Sequence, residues 1–293
     1  TTKSSFRLIL EEFMWRMAFD IGGTFTDFVL AGIGEPPRFL KIASTPDDPS
    51  AAVMLGFDQL LTDAGISASS ISTLLHATTV ATNAIIERKG RPTALVTTAG
   101  FRDVLLIGRQ KRYETYDLYM DKPAPLVARR HVLEVKERVG PAGEIEEELE
   151  RASLNAIIET LSKSKIQSVA VSLIHAYANP AHENLIKNTL QDRLPELLVS
   201  LSSDISPKFR EYERTSTTVA NAYVRPIVAD YISRLQSTLA GRGVENEMFI
   251  MQSAGGLIST EIAIEEPVRI VESGPAAGVL MSAVGGTEAG EHS

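Results

Sequence analysis

The sequence predicts an α/β fold built around a mixed sheet, and three observations support that prediction. The 293 residues are 44% hydrophobic and 23% charged, which is typical of a globular protein with a sizeable buried core. Three short strand patterns follow one another within residues 17–43, as in an antiparallel meander. Beyond residue 48, strand and helix patterns alternate in the manner of α/β proteins.

The opening meander is predicted from apolar runs separated by turn residues. Residues 1–16 show only weak helical spacing, so we expect an N-terminal extension there. Strand patterns follow at residues 17–21, 28–31 and 39–43. Gly22 and Gly23 separate the first two strands, and glycine readily adopts positive φ, which suits a tight turn.

The middle of the chain reads as alternating helices and strands. Asp48 followed by Pro49 predicts a helix cap and a first helical position, with the helix running to about residue 64. Apolar runs then predict strands at residues 74–79, 93–98 and 169–174. Helical spacing predicts helices at residues 80–89 and 154–161 and after residue 180.

The longest helical pattern runs over residues 207–241, with apolar residues at every fourth position. Pro226 lies inside this pattern and lacks a backbone N–H, so we expect it to kink or divide the helix. A strand at residues 248–252 and a Gly255-Gly256 turn follow.

Composition excludes several classes of function. The net charge of −8 repels phosphate backbones, so we expect no nucleic acid as the main partner. The chain has no cysteine, which excludes disulfides, thiolate zinc sites and cysteine nucleophiles and favours a cytoplasmic location. Because no apolar run reaches the roughly 20 residues that span a bilayer, we expect neither a membrane anchor nor a signal peptide.

One motif carries chemistry, and it lies at the first turn: Asp20-Ile21-Gly22-Gly23-Thr24-Phe25-Thr26-Asp27. Gly22 and Gly23 leave the backbone open to a ligand, so that the amides of the turn are directed at phosphate oxygens. Thr24 and Thr26 add hydroxyl donors. The alternative is a plain hairpin turn whose hydroxyls cap its own backbone.

The two carboxylates that flank this turn are the predicted catalytic residues. Asp20 and Asp27 would repel a bare polyphosphate, so the motif requires a divalent cation. Hydrated Mg²⁺ prefers carboxylate and phosphate oxygens. We therefore predict that Asp20 holds Mg²⁺, either directly or through a water, and that Asp27 assists the metal or a water.

This string resembles the first phosphate loop of the ATP-dependent hydantoinase/5-oxoprolinase family, which belongs to the actin–sugar kinase–Hsp70 superfamily. The resemblance extends from about residue 17 to about residue 286. Further similar segments lie, in order, at residues 77–88, 100–103, 107–110, 175–180, 210–223 and 273–278. One departure is the His76-Ala77-Thr78-Thr79 segment, where the family has His-Gly-Thr-Thr, so we expect a strained or differently shaped turn.

The resemblance implies an actin-like ATPase (ribonuclease H-like) first lobe and the start of a second lobe. Residues 17–200 would form the N-terminal domain of the family, and residues 201–293 would begin the hydantoinase A domain. This second part stops before the second phosphate loop that the family carries. We therefore expect this chain alone to have low activity or none.

The resemblance also implies a function. ATP with Mg²⁺ would phosphorylate the amide oxygen of a cyclic amide, of the hydantoin or 5-oxoproline type, so that water opens the ring. A hydantoinase B-type subunit or domain is an expected partner, and a homo-oligomer is a further expectation. Three alternatives stay open: a subunit of an ATP-dependent ketone carboxylase, a sugar kinase, and a non-catalytic fragment of the family.

Four further residues are predicted substrate contacts. His76, Thr78 and Thr79 lie at the end of a strand pattern, where side chains would reach a cleft. Arg109 belongs to a basic stretch in an acidic chain and would orient a carboxylate on the cyclic amide. A buried, hydrogen-bonded histidine is the alternative for His76, and a surface loop is the alternative for Arg109.

Overall fold

The computed structural model describes residues 15–45, 48–109, 114–117, 119–244 and 246–274. Most of the predicted N-terminal extension, residues 1–14, lies outside the described residues, as does the Ser-Gly-Pro-Ala-Ala-Gly motif beyond Gly274.

The described chain forms two compact units. Unit 1 contains the described residues up to Asn83 and those from Val228 onward, and unit 2 is Ala84–Ile227. The predicted domain division at residue 200 stays a prediction.

The described chain contains the following elements. The strands are β1 Trp15–Ile21, β2 Phe25–Gly32, β3 Arg38–Ala43, β4 Ile71–Thr78, β5 Thr93–Thr98, β6 Val132–Val135, β7 Arg138–Val139, β8 Ile145–Glu147, β9 Ser168–Ser172, β10 Leu198–Leu201, β11 Met248–Met251 and β12 Leu257–Ser259. The α-helices are α1 Pro49–Ala64, α2 Val80–Ile86, α3 Val104–Ile107, α4 Arg151–Ser162, α5 Ala181–Arg193, α6 Ser202–Ile205, α7 Glu211–Ala240 and α8 Thr260–Glu265.

Unit 1 is built on a six-stranded mixed sheet with the strand order β12-β11-β4-β1-β2-β3. The neighbours β1 and β4 run parallel, as do β4 and β11. The pairs β1–β2 and β2–β3 are antiparallel, so the predicted opening meander is confirmed. The first strand begins at Trp15 and therefore includes two residues that were assigned to the extension.

The pleat of this sheet separates a buried face from a more open one. Along β1 the buried side chains alternate with half-buried or exposed ones, and the buried set is Trp15, Met17, Phe19 and Ile21. Asp20 therefore points to the other face. In register, Asp20 lies between Ala77 of β4 and Asp27 of β2, and Asp27 in turn lies beside Lys41 of β3. The pairing thus places two acids and one base in a single row across the strands.

The helix α1 matches its predicted bounds, and its ends show why. The Asp48 side chain accepts a hydrogen bond from the Ser50 N–H at 3.1 Å, which caps the first turn. The helix stops at Gly65, whose φ of 66° is the left-handed conformation that commonly ends helices. Inside the helix, a Cβ at Gly56 would lie 2.4 Å from the Phe28 ring, so glycine there lets α1 pack closely on β2.

Unit 2 contains a second sheet, and this one is entirely parallel, with the strand order β10-β9-β5-β6. Every residue of β5 and β9 is buried, as expected for parallel strands that are covered on both faces. The helices α4 and α5 contribute to the core beside this sheet. Their buried side chains include the predicted apolar stripe, Leu154, Ile157, Ile158 and Leu161, together with Ile186 and Leu190.

The long helix α7 is continuous from Glu211 to Ala240, so Pro226 does not divide it, and the kink expected as the other outcome stays a prediction. Proline at this position deprives the Ala222 carbonyl of its helical partner and costs about 3 kcal/mol. Ala222, Val224 and Val228 around it are fully buried, and their burial offsets that cost. Within the described ranges, neither this helix nor another is both long and apolar enough to cross a membrane.

Candidate active site

The turn between β1 and β2 consists of Gly22, Gly23 and Thr24. The Gly22 N–H donates to the Phe25 carbonyl at 3.0 Å, and a Cβ at Gly22 would lie 3.0 Å from that same oxygen. At Gly23, a Cβ would meet no described atom within 4 Å. Neither glycine adopts the positive φ that the sequence suggested. Close backbone approach explains glycine at position 22, and position 23 leaves the backbone open to a ligand.

Ser44, which directly follows β3, stabilises this turn through hydrogen bonds. Its hydroxyl donates to the Gly22 carbonyl at 2.8 Å, and its N–H donates to the Thr24 carbonyl at 2.9 Å. The Thr26 hydroxyl lies 3.0 Å from the Ser44 hydroxyl and is fully buried. Thr26 therefore supports the turn from the buried face, whereas Thr24 is exposed at its tip. The role predicted for Thr26 as a phosphate contact stays a prediction that this burial disfavours.

Asp20 is half-buried at the start of the turn, and its Oδ1 atom is buried without a hydrogen-bond partner among the described residues. Burial raises the pKa of Asp20 above its ordinary value, and the charge of the neighbouring Asp27 raises it further. Asp27 itself is exposed and accepts a hydrogen bond from the Lys41 ammonium at 2.7 Å. The two carboxylates are therefore not equivalent, because among the described residues a cation lies beside Asp27 and none pairs with Asp20.

The residues present fit a divalent cation at Asp20. A buried carboxylate oxygen without a donor is the kind of ligand that Mg²⁺ accepts, and a bound cation would also lower the pKa that burial raises. The described chain contains no cluster of three or more acidic or histidine side chains that could hold a metal alone. This arrangement suits Mg²⁺, which usually binds one or two carboxylates together with phosphate oxygens and water.

The end of the described chain also reaches this site. A Cβ at Gly274 would lie 3.5 Å from Oδ2 of Asp20, so the Gly274 backbone passes close to the carboxylate. The Ser273 hydroxyl donates to the Thr78 carbonyl at 3.2 Å, which fixes this segment beside β4. The sequence singled out this segment only as a family-like motif, and it gave no signal for its contact with Asp20.

His76 lies in the core of unit 1, with 1% of its surface exposed. Its Nδ1 atom is 3.3 Å from the Phe19 carbonyl, and its Nε2 atom is 2.8 Å from the Tyr231 hydroxyl. The ring also stacks on Phe19, with 4.5 Å between the ring centroids. Burial lowers the pKa of His76 to about 4, so the imidazole is neutral. These contacts favour the alternative of a buried structural histidine, and the predicted substrate role stays a prediction.

Thr78 is the last residue of β4 and Thr79 directly follows it, and both side chains bond backbone groups. The Thr79 hydroxyl and N–H both donate to the Ile21 carbonyl, at 3.1 and 3.3 Å. The Thr78 hydroxyl accepts from the Val80 N–H at 3.2 Å, at the start of α2. Ala77 lies in β4 without positive φ, so the strain expected from the missing glycine is not found. The substrate contacts predicted for these threonines stay predictions.

Arg109 belongs to unit 2 and is exposed. Its Nε atom donates to Oε1 of Glu213 at 2.7 Å. Both residues border an open cleft of about 1050 Å³, which Arg88 and Lys122 also line. A cationic cleft of this kind is compatible with the predicted carboxylate contact, but that contact stays a prediction.

Sequence reasoning missed three residues of the site: Ser44, Tyr231 and Gly274. Ser44 gave no local signal, because the Gly22 carbonyl that it bonds lies 22 residues earlier in the chain. Tyr231 was noted only as one member of the apolar pattern of the long helix. Its hydroxyl is the part that matters, because a buried tyrosine hydroxyl needs a partner.

Family models match most of the chain. The hydantoinase/oxoprolinase N-terminal region matches residues 16–194, and the hydantoinase/oxoprolinase model matches residues 214–293. The caprolactamase subunit alpha of Pseudomonas jessenii is 33% identical over 269 residues, which are 89% of this chain and 38% of that protein. The acetophenone carboxylase gamma subunit of Aromatoleum aromaticum is 31% identical, and the match covers 90% of this chain and 38% of that protein.

A third relative is the 5-oxoprolinase of Saccharomyces cerevisiae, which is 30% identical over 90% of this chain and 23% of its own length. The chain thus spans between about a quarter and two fifths of these relatives. The crystal structure of the ATP-dependent caprolactamase from Pseudomonas jessenii matches with a TM-score of 0.83 and 33% identity, over 89% of this chain and 39% of that one. The predicted α/β fold of the actin-like ATPase type is confirmed. The chain therefore belongs to the hydantoinase/oxoprolinase family.

Proposed function

We propose that the full-length protein is an ATP-dependent hydrolase that opens a cyclic amide by phosphorylating the amide oxygen. The observation that carries this proposal is the orphaned Oδ1 atom of Asp20, which no described donor satisfies, beside a turn that is open at Gly23. Two of the three relatives reported above, the caprolactamase subunit and the 5-oxoprolinase, are by name enzymes of this class.

In this proposal the backbone of the first turn holds the triphosphate. Gly23 and Thr24 are exposed at the tip of the turn, so their amides would donate to phosphate oxygens without displacing a side chain. Ser44 keeps the turn in one shape, because it bonds the carbonyls of Gly22 and Thr24. Pre-organised donors of this kind stabilise charge that develops during phosphoryl transfer.

The two carboxylates have separate tasks. Asp20 would hold hydrated Mg²⁺ through its unpaired oxygen, and Asp27, its register partner on β2, would assist the metal or a water. When bound, Mg²⁺ would neutralise phosphate charge and align the γ-phosphoryl group for transfer. Lys41 holds Asp27 in place and reduces the repulsion between the two acids.

The proposed reaction begins with phosphoryl transfer from ATP to the amide oxygen. The amide oxygen attacks the γ-phosphorus, the bond to the β–γ bridging oxygen breaks, and ADP leaves. Water then adds to the activated amide carbon, the ring C–N bond breaks, and the nitrogen takes a proton, which leaves an acyl phosphate. A second water hydrolyses this acyl phosphate to the carboxylate and inorganic phosphate. Overall, one cyclic amide, one ATP and two waters give the ring-opened amino acid, ADP and inorganic phosphate.

A subunit of an ATP-dependent ketone carboxylase is the second candidate function. The acetophenone carboxylase gamma subunit matches this chain almost as well as the caprolactamase subunit does, at 31% against 33% identity. Phosphorylation of a ketone enolate oxygen would use the same turn and the same metal, so the described site serves either reaction. Bicarbonate dependence separates the two.

The proposal extends to partners and setting. Two relatives are named as subunits, which supports a second, hydantoinase B-type subunit or domain as a partner. We propose a cytoplasmic location, because a chain without cysteine loses nothing in a reducing compartment. The 293-residue chain alone is proposed to have low turnover, since nucleotides in this superfamily bind between two lobes.

The test is product analysis with the full-length protein. It is incubated with MgATP and 5-oxoproline, caprolactam or hydantoin, with and without bicarbonate. We expect ADP formation that requires one of the amides and yields its ring-opened product, and a loss of about 100-fold or more in Asp20→Asn. The exposed Asp192→Asn serves as a matched control without effect. A ketone carboxylated only with bicarbonate, or full turnover in Asp20→Asn, would contradict the proposal.

A further inference from the structure

We propose that the segment His76–Thr79 positions Asp20, so that its residues serve the metal site through the backbone and do not contact substrate. This inference rests on the proposed function. It reassigns the three residues at the end of β4 and directly after it, His76, Thr78 and Thr79, that the sequence predicted as substrate contacts. The geometry behind it is the pair of backbone carbonyls on either side of Asp20.

Those two carbonyls are held by the two ends of the segment. The carbonyl of Phe19, just before Asp20, lies 3.3 Å from Nδ1 of His76. The carbonyl of Ile21, just after Asp20, accepts from the hydroxyl and the N–H of Thr79. The Phe19–Asp20 and Ile21–Gly22 peptide groups, which lie on either side of Asp20 along β1, are thus held by the same neighbouring segment, and this fixes the backbone that carries the carboxylate.

Ala77, which lies within this segment, has a side chain small enough to leave space beside the Asp20 carboxylate. Ala77 pairs with Asp20 in the parallel register, so both side chains point to the same face of the sheet. A methyl group leaves room beside the carboxylate, where a larger side chain would fill the space meant for a cation. Gly274 approaches the carboxylate from another side and also lacks a side chain.

The hydrogen bonds of His76 specify one tautomer. A carbonyl only accepts, so Nδ1 carries the proton, and Nε2 accepts from the Tyr231 hydroxyl. A neutral ring that is satisfied at both nitrogens and stacked on Phe19 has no group left for a substrate. Tyr231 thereby connects the helix α7 to the backbone that carries Asp20.

Thr79 is satisfied in the same way. Its hydroxyl donates to the Ile21 carbonyl and accepts from Nδ2 of Asn83 at 3.2 Å. Thr79 and Asn83 lie one turn apart at the start of α2, so the helix holds the hydroxyl in place. A hydroxyl that both donates and accepts within the protein acts on the backbone rather than on a ligand.

The test compares Thr79→Val with Thr79→Ser in the full-length protein. Calorimetry gives the dissociation constant for MgATP, and steady-state kinetics give the KM for the cyclic amide. Loss of the hydroxyl should weaken MgATP binding about tenfold with an unchanged KM for the amide, since small displacements of a catalytic group are costly. Thr79→Ser should restore binding. Thr189→Val, which removes an exposed helix hydroxyl that bonds its own helix, is the matched control.

A second measurement does not depend on activity or on the effect of one variant on folding. In the 293-residue chain without nucleotide, amide hydrogen exchange at residues 21–24 should be faster in Thr79→Val and His76→Gln than in the native chain. It should stay close to native in His76→Asn, whose amide nitrogen occupies the place of Nδ1 and keeps a donor for Phe19. Equal exchange in all of these variants would overturn the positioning role.

The outcomes separate the two proposals. A raised KM for the amide with unchanged MgATP binding in Thr79→Val means substrate contact and overturns this inference. Weak MgATP binding in Asp20→Asn together with native binding in Thr79→Val overturns the positioning role alone. Native binding in Asp20→Asn overturns the proposed function and, with it, the inference.

Discussion

Asp20 in unit 1 and Glu183 in unit 2 are both carboxylates whose pKa burial raises, yet their surroundings differ. Glu183 is fully buried and accepts three hydrogen bonds, from the Leu173 N–H at 2.9 Å, the Ser202 hydroxyl at 2.6 Å and the Ser203 N–H at 2.9 Å. Asp20 is half-buried, and its Oδ1 atom accepts none within the described chain.

The difference separates a structural carboxylate from one that is prepared for a ligand. Glu183 satisfies backbone groups where β9 and β10 end, so its removal would leave buried donors without acceptors. Asp20 satisfies nothing in the described chain and pays a desolvation cost that only a ligand would offset. A raised pKa alone therefore does not identify the functional acid, whereas the missing hydrogen-bond partner does.

The largest expected effect is on the free energy of unfolding and concerns Glu183, the structural carboxylate. Glu183→Ala should lower the free energy of unfolding by about 3–5 kcal/mol, because it leaves three buried donors unsatisfied. Denaturant unfolding of the 293-residue chain measures the change. Glu159→Ala, at an exposed ion pair with Lys163, is the control and should change it by less than about 0.5 kcal/mol. Equal effects would remove the distinction.

The next effect concerns the buried imidazole of His76. The pKa of His76 is lowered from 6.5 to about 4 by burial, so the unfolded chain binds more protons between these values. Stability that is present above pH 6.5 is therefore lost as the pH falls toward 4, by about 3 kcal/mol between pH 7 and pH 4. His76→Asn should lack this part of the pH dependence. Parallel stability curves for the two proteins would contradict the burial of a neutral imidazole.

A smaller effect is expected at Asp20 itself, without Mg²⁺. Its raised pKa means that the folded state holds its proton more tightly, so stability falls as the pH rises from 3.8 through the folded-state value. Asp20→Asn removes this loss and should be more stable than the native chain by about 0.5 kcal/mol at pH 7, since solvent screens a half-buried group. The two thermal unfolding curves should coincide near pH 3. A destabilised variant at pH 7 would make Asp20 a structural acid like Glu183.

The smallest effect is expected at Lys41. Its ion pair with Asp27 is more than half exposed on both side chains, so Lys41→Met should change the free energy of unfolding by less than about 0.3 kcal/mol. Denaturant unfolding at low and high salt checks this, because a surface ion pair weakens in salt. A loss above about 1 kcal/mol would show that the row of charges across the strands is structural.

Local signals in the sequence predicted much of the fold. The strand alternation and the Asp48 cap gave the meander and the bounds of α1, because such signals act within a few residues. Pro226 does not divide the helix, because the burial around it outweighs the local cost of proline. Sequence rules that consider only neighbouring residues do not include the energy of such packing.

The candidate site was predictable only in its first element. Asp20 and the turn lie within one motif, and their cross-strand pairing follows from the hairpin. The contacts of Ser44 with Gly22, of Tyr231 with His76 and of Gly274 with Asp20 join residues that are far apart along the chain. A single sequence does not reveal such pairs, and for that reason His76 was interpreted as a substrate contact.

The central claim, that Asp20 holds the cation of a bound nucleotide, is tested most directly by a crystal structure. The full-length protein would be crystallised with a non-hydrolysable ATP analogue and Mn²⁺, and the metal would be located by its anomalous scattering. We predict a metal peak bound to Oδ1 of Asp20, at about 2.1 Å directly or one water further away, with phosphate oxygens completing its shell. A nucleotide whose metal has no contact with Asp20, direct or through water, would contradict the account.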